Sequence, residues 1–391
     1  MYHSIGIPNS NWHLNHLTCP YKIFESQIAW LYRNNYRTIS LNDLYGNIFK
    51  RKIISKKSII LTFDDGYVDN WIFAYPLLKK YNMTATIFVN PEFVDPRKIK
   101  RKRYDQCKNV NELETLGFLS WDEMIEMEST NVIDIQNHAL THTHYPINDN
   151  IIDFRHPDDP YIHLTWNNNV KKKPFLQIDN ENLKEYGEPV YEMGSSLRNR
   201  KYLQDNNLRN HIIEYINSKG GNTFFEDTHW KKVLFKQVEK YKENFKLKAR
   251  YETNEEFTER IKQEINLSRE ILENNLNKTI DFLCWPEGSA TNLGVELART
   301  AGYKMTTAGK DNPLLRKKLK NSPNHKSDRI VRHGTAIYNS IHHNKRLVRY
   351  CKGGQIFVKI SYFRNPFNNY LSKVILFLYK YYFDIKHRIN K

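Results

Sequence analysis

The stretch SIILTFDDGYVDN, Ser58–Asn70, decides the fold. Its first six residues are apolar and β-rich, the pattern of a strand buried on both faces. Two adjacent acids, Asp64 and Asp65, stand where that strand leaves the core, and Gly66 permits a tight turn. Successive residues of a strand point to opposite faces, so neighbouring carboxylates do not ordinarily share a task. They can divide one if the turn at Gly66 brings them to one water from different sides. One acid would then hold a metal ion while its neighbour serves as general base.

Working outward, YVDNWIFAYPLLKKYN reads as a helix that Pro76 kinks or interrupts. Thr84–Asn90 is a second strand, Ser120 and Glu123 form a capping box that opens a helix, and Val132–His138 is a third strand. This alternation predicts an α/β fold with parallel strands. The third strand runs into QNHALTHTH, where His138 and His142 lie four apart. Two histidines and one carboxylate leave positions open for water and substrate, the pattern of a catalytic metal site. His144, beyond the pair, reads as an outer or surface residue.

From about 145 to 251 the chain is polar, with few strand signals, and is expected to be a partly helical insertion. Regularity returns at 255–277, where Phe257, Ile261, Ile265, Leu272 and Leu276 recur at helical spacing. TIDFLCW, NLGVELARTAGY and KMTTAG then read as strand, helix and strand. The final stretch, YLSKVILFLYKYYFDIKHRINK, puts Leu371, Ile375, Leu378 and Tyr382 on one face among Lys373, Lys380, Lys386 and Arg388. Two readings fit it: a basic amphipathic helix on an anionic membrane, or a terminal helix packing its apolar side on the body.

Lys and Arg number 60 against 43 acids over 391 residues, a formal charge of +17. That favours an anionic partner, such as phospholipid headgroups or an acidic glycan and its lipid carrier. No nucleic-acid-binding motif accompanies the charge, and no nucleic-acid partner is expected. The four cysteines form no C-x-x-C pair, which suits a reducing compartment. MYHSIGIPNS is not a signal peptide, and no segment offers the roughly 20 apolar residues of a membrane span. The expectation is a cytoplasmic protein, at most peripheral at the inner face of the membrane.

LTFDDGY and NHALTH resemble the first two motifs of the polysaccharide deacetylases, the family-four carbohydrate esterases. The resemblance is close over Ser58–His144 and looser over Glu255–Gly309. It implies an α/β fold, a distorted (β/α) barrel with a large, mostly helical insertion. The barrel would be discontinuous (1–144 and 252–340), with the insertion at 145–251 and a basic aromatic extension at 341–391. The implied activity is removal of N-acetyl groups from amino sugars of a cell-surface polysaccharide or its lipid-linked precursor. Asp65, His138 and His142 would hold one divalent ion, Zn²⁺ by preference or else Co²⁺, Ni²⁺ or Fe²⁺, and Asp64 would be the base. Of the third motif, CWPEGSAT keeps Pro286 and Gly288, with Glu287 at the position of a backbone N–H donor to an oxyanion. No arginine precedes it, so what orients Asp64 is left open. MYHSI resembles the first strand of poly-N-acetylglucosamine deacetylases, which implies His3 as general acid; His333, in DRIVRHGT, competes. Tyr186–Arg200 would be either a substrate-side lid or a structural insertion, and Trp166 and Trp230 would either stack on sugars or pack. The alternatives are a non-catalytic glycan-binding or assembly protein and a small-molecule amide hydrolase.

Overall fold

The computed structural model describes residues 1–8, 17–157, 159–168, 185–309, 320–342, 345–364 and 366–389. Six strands form one parallel sheet: β1 (Thr62–Phe63), β2 (Ala85–Val89), β3 (Ile133–Asn137), β4 (Phe282–Leu283), β5 (Met305–Thr307) and β6 (Arg329–Ile330). They lie in the spatial order β6-β5-β4-β3-β2-β1, and the sheet is curled into a half-barrel. β2 is buried throughout because both faces of a parallel sheet are covered, and its alternation sorts two cores. Phe88 points to an inner cluster with Phe282, Met305 and Ile330, closed by Leu41, Leu44 and Ile48 of the helix Leu41–Phe49. Ala85, Ile87 and Val89 face the outer cluster with Ile133, Ile135 and Leu283, beneath the surrounding helices.

The stretch expected as one strand is two. Ser58–Ile59 pairs with Arg37–Thr38, and only Thr62–Phe63 enters the sheet. Beyond β1, Tyr2 bridges Phe63 in parallel, its N–H bonding Thr62 O at 2.8 Å while Asp64 N–H donates to Tyr2 O at 3.1 Å. The Met1 nitrogen donates to His333 O, just past β6, at 2.9 Å. The first residues thus stand between the two edges of the sheet and narrow its opening.

The expected capping box forms at the start of the helix Trp121–Ser129, with both reciprocal bonds between Ser120 and Glu123. The predicted helical stripe is the helix Asn254–Leu276, which buries Ile261, Ile265 and Leu272 and also Glu264 and Ser268. The 145–251 region is less helical than expected at its start. His144–Phe154 is an eleven-residue strand, paired antiparallel with Pro189–Ser195. HYPINDNIIDF hides this because polar residues and two register shifts break its alternation. About half of the Tyr186–Arg200 stretch, Pro189–Ser195, is therefore a strand of this antiparallel pair. The helices Asn206–Ser218 and Trp230–Asn244 cover Phe154 with Leu208, Ile212, Ile216, Leu234 and Val238, a separate small core.

At the end of the chain, Pro366–Ile389 forms one helix. Asn365, Asn390 and Lys391, which the sequence reading includes in this segment, lie outside the described residues. One face docks on the hairpin of Ala336–His342 and Lys345–Tyr350, where Tyr338 bonds Asp384 at 2.8 Å and packs on Phe383. The other face exposes Tyr370, Leu371, Val374, Phe377, Leu378, Tyr381, Tyr382 and Ile385. No helix among the described residues is long and apolar enough to cross a membrane.

Candidate active site

The two acids reach one site because the backbone reverses at Asp65 itself. Asp64 ends β1 and is buried, whereas Asp65 is left-handed with φ 75° and Gly66 follows at φ 76°. A non-glycine residue in this region costs about 1–2 kcal/mol, so the turn has to be held by its surroundings. A Cβ at Gly66 would stand 3.2 Å from a Val89 methyl, so this position also favours glycine by close approach.

At the end of β3, His138 and His142 turn toward Asp65. Their Nε2 atoms lie 3.1 and 3.4 Å from Asp65 Oδ1. His138 Nδ1 is 2.9 Å from Cys284 O, an atom that only accepts, so in the neutral ring that a metal would bind Nδ1 carries the proton and Nε2 presents its lone pair. Asp65 Oδ1 is buried with no hydrogen-bond partner among the described residues, a condition a cation would relieve. The three ligand atoms lie within 4.8 Å of one another, and two imidazoles with a carboxylate are a donor set that suits Zn²⁺. The residues therefore fit one divalent ion. Asp64, His138 and Cys284 form a second cluster of that size, but its space is taken by an arginine.

That arginine is Arg332, which the sequence reading missed. Its Nη1 and Nη2 grip Asp64 Oδ1 and Oδ2 at 2.5 and 2.8 Å, and Nη2 also donates to Cys284 Sγ at 2.9 Å. The guanidinium lies over the Phe88 ring, 5.3 Å from its centroid. Burial pushes the Asp64 carboxyl up, but Arg332, His138 and His3 outweigh it and bring it down to about 2. Asp65 is likewise raised by burial and carried well below its ordinary range by His138 and His142. Both acids are ionised across the neutral range. The partner of Asp64 that the sequence left open is thus an arginine from just past the end of β6. The signal was available one residue from His333, which drew attention as a candidate acid.

The two candidate acids are placed differently. His3 Nε2 is 3.9 Å from Asp64 Oδ2, and burial, the largest influence, lowers its pKa. His333 is exposed and stacks on Phe363, with ring centroids 3.4 Å apart. In an extended segment Arg332 and His333 point opposite ways, so seating Arg332 on Asp64 turns His333 away.

In the third motif, Glu287 is left-handed with φ 54° and Gly288 follows at 74°. The Gly288 N–H is engaged by Trp285 O at 3.0 Å, and Pro286 is buried, so these two residues shape the turn that presents Glu287. The Glu287 side chain reaches His144, with Nε2–Oε2 at 3.1 Å. Trp166 packs among Phe93, Phe118 and Tyr67, and Trp230 against Phe225 and His156, so both tryptophans are occupied in packing.

Residues 51–176 match the family described as Polysaccharide deacetylase. The chain carries a polysaccharide deacetylase domain. The matched span contains both acids and both histidines of the site. The chain is similar to YxkH of Bacillus subtilis (strain 168), at 45% identity over 89 residues, 23% of this chain and 30% of that protein. The chain is also similar to the poly-beta-1,6-N-acetyl-D-glucosamine N-deacetylase of Escherichia coli (strain K12), at 20% identity over 279 residues, 71% of this chain and 29% of that protein. The chain thus spans under a third of the length of these curated relatives. Among solved structures it resembles a de-N-acetylase from Aggregatibacter actinomycetemcomitans, with TM-score 0.49 and 17% identity, covering 80% of this chain and 87% of that one.

Proposed function

We propose that this protein hydrolyses the acetamide of N-acetylated amino sugars in a glycan or its lipid-linked precursor, releasing acetate. One observation carries the reading: an ionised carboxylate, Asp64, is clamped by Arg332 beside the convergent Asp65, His138 and His142. When bound there, a divalent ion such as Zn²⁺ would polarise the acetyl carbonyl and lower the pKa of a water molecule. Asp65, His138 and His142 would hold it. Asp64 would take the proton of that water through the lone pairs left open by Arg332, which grips both carboxylate oxygens. His3, uncharged near neutrality because burial lowers its pKa, can receive this proton and deliver it to the departing nitrogen. The turn at Glu287 supports an N–H contact to the developing oxyanion.

The reading includes contact with an anionic membrane. It is supported by the exposed apolar stripe from Tyr370 to Ile385, flanked by Lys373, Lys380, Lys386 and Arg388 and too short to span. Each cation near an anionic surface contributes about 1 kcal/mol. Such lipids are enriched in the cytoplasmic leaflet, which makes the inner face of the membrane the proposed location.

Release of free amine and acetate from N-acetylglucosamine oligomers, lipid-linked and free, tests the activity with and without chelator. Release that chelation stops and Zn²⁺ restores supports it. Binding of oligomers without release under any metal would leave a glycan-binding protein. Vesicle sedimentation tests the membrane contact: Leu371→Asp with Phe377→Asp should abolish binding to anionic vesicles and spare hydrolysis of soluble substrate.

A further inference from the structure

The loop that carries both histidines is held from behind by one helix. Glu264, on Asn254–Leu276, is 3% exposed, and its carboxylate receives two donors from Thr141, the residue before His142. Thr141 Oγ1 donates to Oε1 at 2.6 Å and Thr141 N–H to Oε2 at 3.3 Å. One helical turn further, Ser268 Oγ accepts from Asn137 Nδ2 at 2.7 Å, and Asn137 is the residue before His138. Ser268 passes its own proton to Glu264 O at 2.6 Å, so this second anchor is tied into the same turn of helix. Asn137 Nδ2 also meets Tyr303 OH, which donates to Ile265 O at 3.2 Å.

The spacing explains why one helix can do this. Residues four apart on a helix share a face, so Glu264 and Ser268 present two fixed points to the loop 137–142. The loop needs them, because Ala139 and His142 are both left-handed, with φ 60° and 41°. Asn90 supplies a third point from β2, its amide donating to His138 O and to Ala139 O. Of the three, Glu264 alone meets both donors of Thr141, at the end of the loop that sets His142.

The geometry points to Glu264 as a positioning residue for the metal site, acting through Thr141 on the placement of His142 Nε2 beside Asp65. It does not touch substrate or ion. The inference rests on the metal-site reading above. Each oxygen of its carboxylate accepts one donor of Thr141, and a Gln amide would set an NH₂ donor in place of one of those acceptors. Loss of an outer partner of a metal ligand typically weakens binding by about 10–100-fold.

The test is Zn²⁺ binding by the full-length protein, in competition with a chromophoric chelator, together with the visible spectrum of the Co²⁺-loaded form. Glu264→Gln should weaken Zn²⁺ binding by about 10-fold or more and alter the Co²⁺ band intensities, which report ligand geometry rather than folding. Thr141→Val should do the same, and Glu264→Gln with Thr141→Val should be no weaker than the worse single variant, because both remove one link. Glu264→Asp, which keeps both accepting oxygens, should recover part of the affinity relative to Glu264→Gln. Unchanged Zn²⁺ affinity and Co²⁺ spectrum in Glu264→Gln would overturn the proposal, as would multiplying losses in the double variant. Wild-type protein that binds neither ion would instead overturn the underlying metal-site reading.

Discussion

The open end of the barrel and the 145–251 region handle polarity in opposite ways. At the barrel end, Asp64, His138, Glu264 and Arg332 are brought from four distant parts of the chain and meet with little solvent. Four non-glycine residues there, Asp65, Ala139, His142 and Glu287, are left-handed. In the 145–251 region a hairpin with polar strands is backed by two helices whose stripes supply an ordinary apolar core. The first arrangement is sensitive to the position of single atoms, since a buried charge without its partner is costly. The second depends on total apolar area and tolerates change in its polar face. The contrast predicts where mutations abolish chemistry and where they only loosen structure.

The largest effect is expected at the carboxylates. Asp65→Asn should remove most bound metal and with it the activity, measured by elemental analysis and amine release. Asp64→Asn should keep the metal and lose activity by roughly 10²–10⁴-fold, the scale of general-base catalysis. Metal loss from Asp64→Asn with retention in Asp65→Asn would mean that the two roles are reversed.

Arg332→Met should come next. It leaves Asp64 buried without its cation, at a cost of about 3–5 kcal/mol in denaturant unfolding. Burial then dominates the carboxyl, whose pKa rises from about 2, so the acidic limb of kcat/KM should move to higher pH. An unmoved limb would show that Arg332 does not tune Asp64.

Phe154→Ala tests the other region. Phe154 is completely buried in the small core, and truncation should cost about 3–5 kcal/mol. Hydrogen exchange should localise the loss to the hairpin and its two helices, with β2 and β3 still protected. Exchange rising equally across the sheet would mean that the two cores unfold as one.

The smallest effect concerns the seam near the N-terminal residues. Asp69 bonds Ser4 Oγ, and burial pushes its carboxyl up to about 7. The folded protein therefore retains a proton that the unfolded chain loses near pH 4. The stability from this group is complete below that pH and is lost as pH rises through about 7. Asp69→Asn should flatten the dependence of the midpoint of unfolding on pH between about 4 and 7. A dependence unchanged from wild type would assign it to another group.

Much of the barrel was legible in the chain because its signals are local. The buried strands at 85–89 and 133–137, the Ser120–Glu123 capping box and the apolar stripe of the helix Asn254–Leu276 follow from a few consecutive residues. The strand His144–Phe154 escaped because its pairing is not written in alternation. The roles of Glu287 and of the helix Pro366–Ile389 stayed open for a related reason: a left-handed turn and a choice of docking face depend on neighbours far along the chain.

By itself the sequence determined the α/β class, the residues able to bind a divalent ion, and the presence of two acids at one strand end. These depend on residue type and short-range spacing. Only the tertiary structure decided that Arg332 grips Asp64 while His333 turns away, that His3 stands beside the same carboxylate, and that Glu264 braces the histidine loop. Those partners lie up to 268 residues apart along the chain. Curling the parallel sheet brings its strand ends together, and no periodicity within the chain encodes which side chains will then meet.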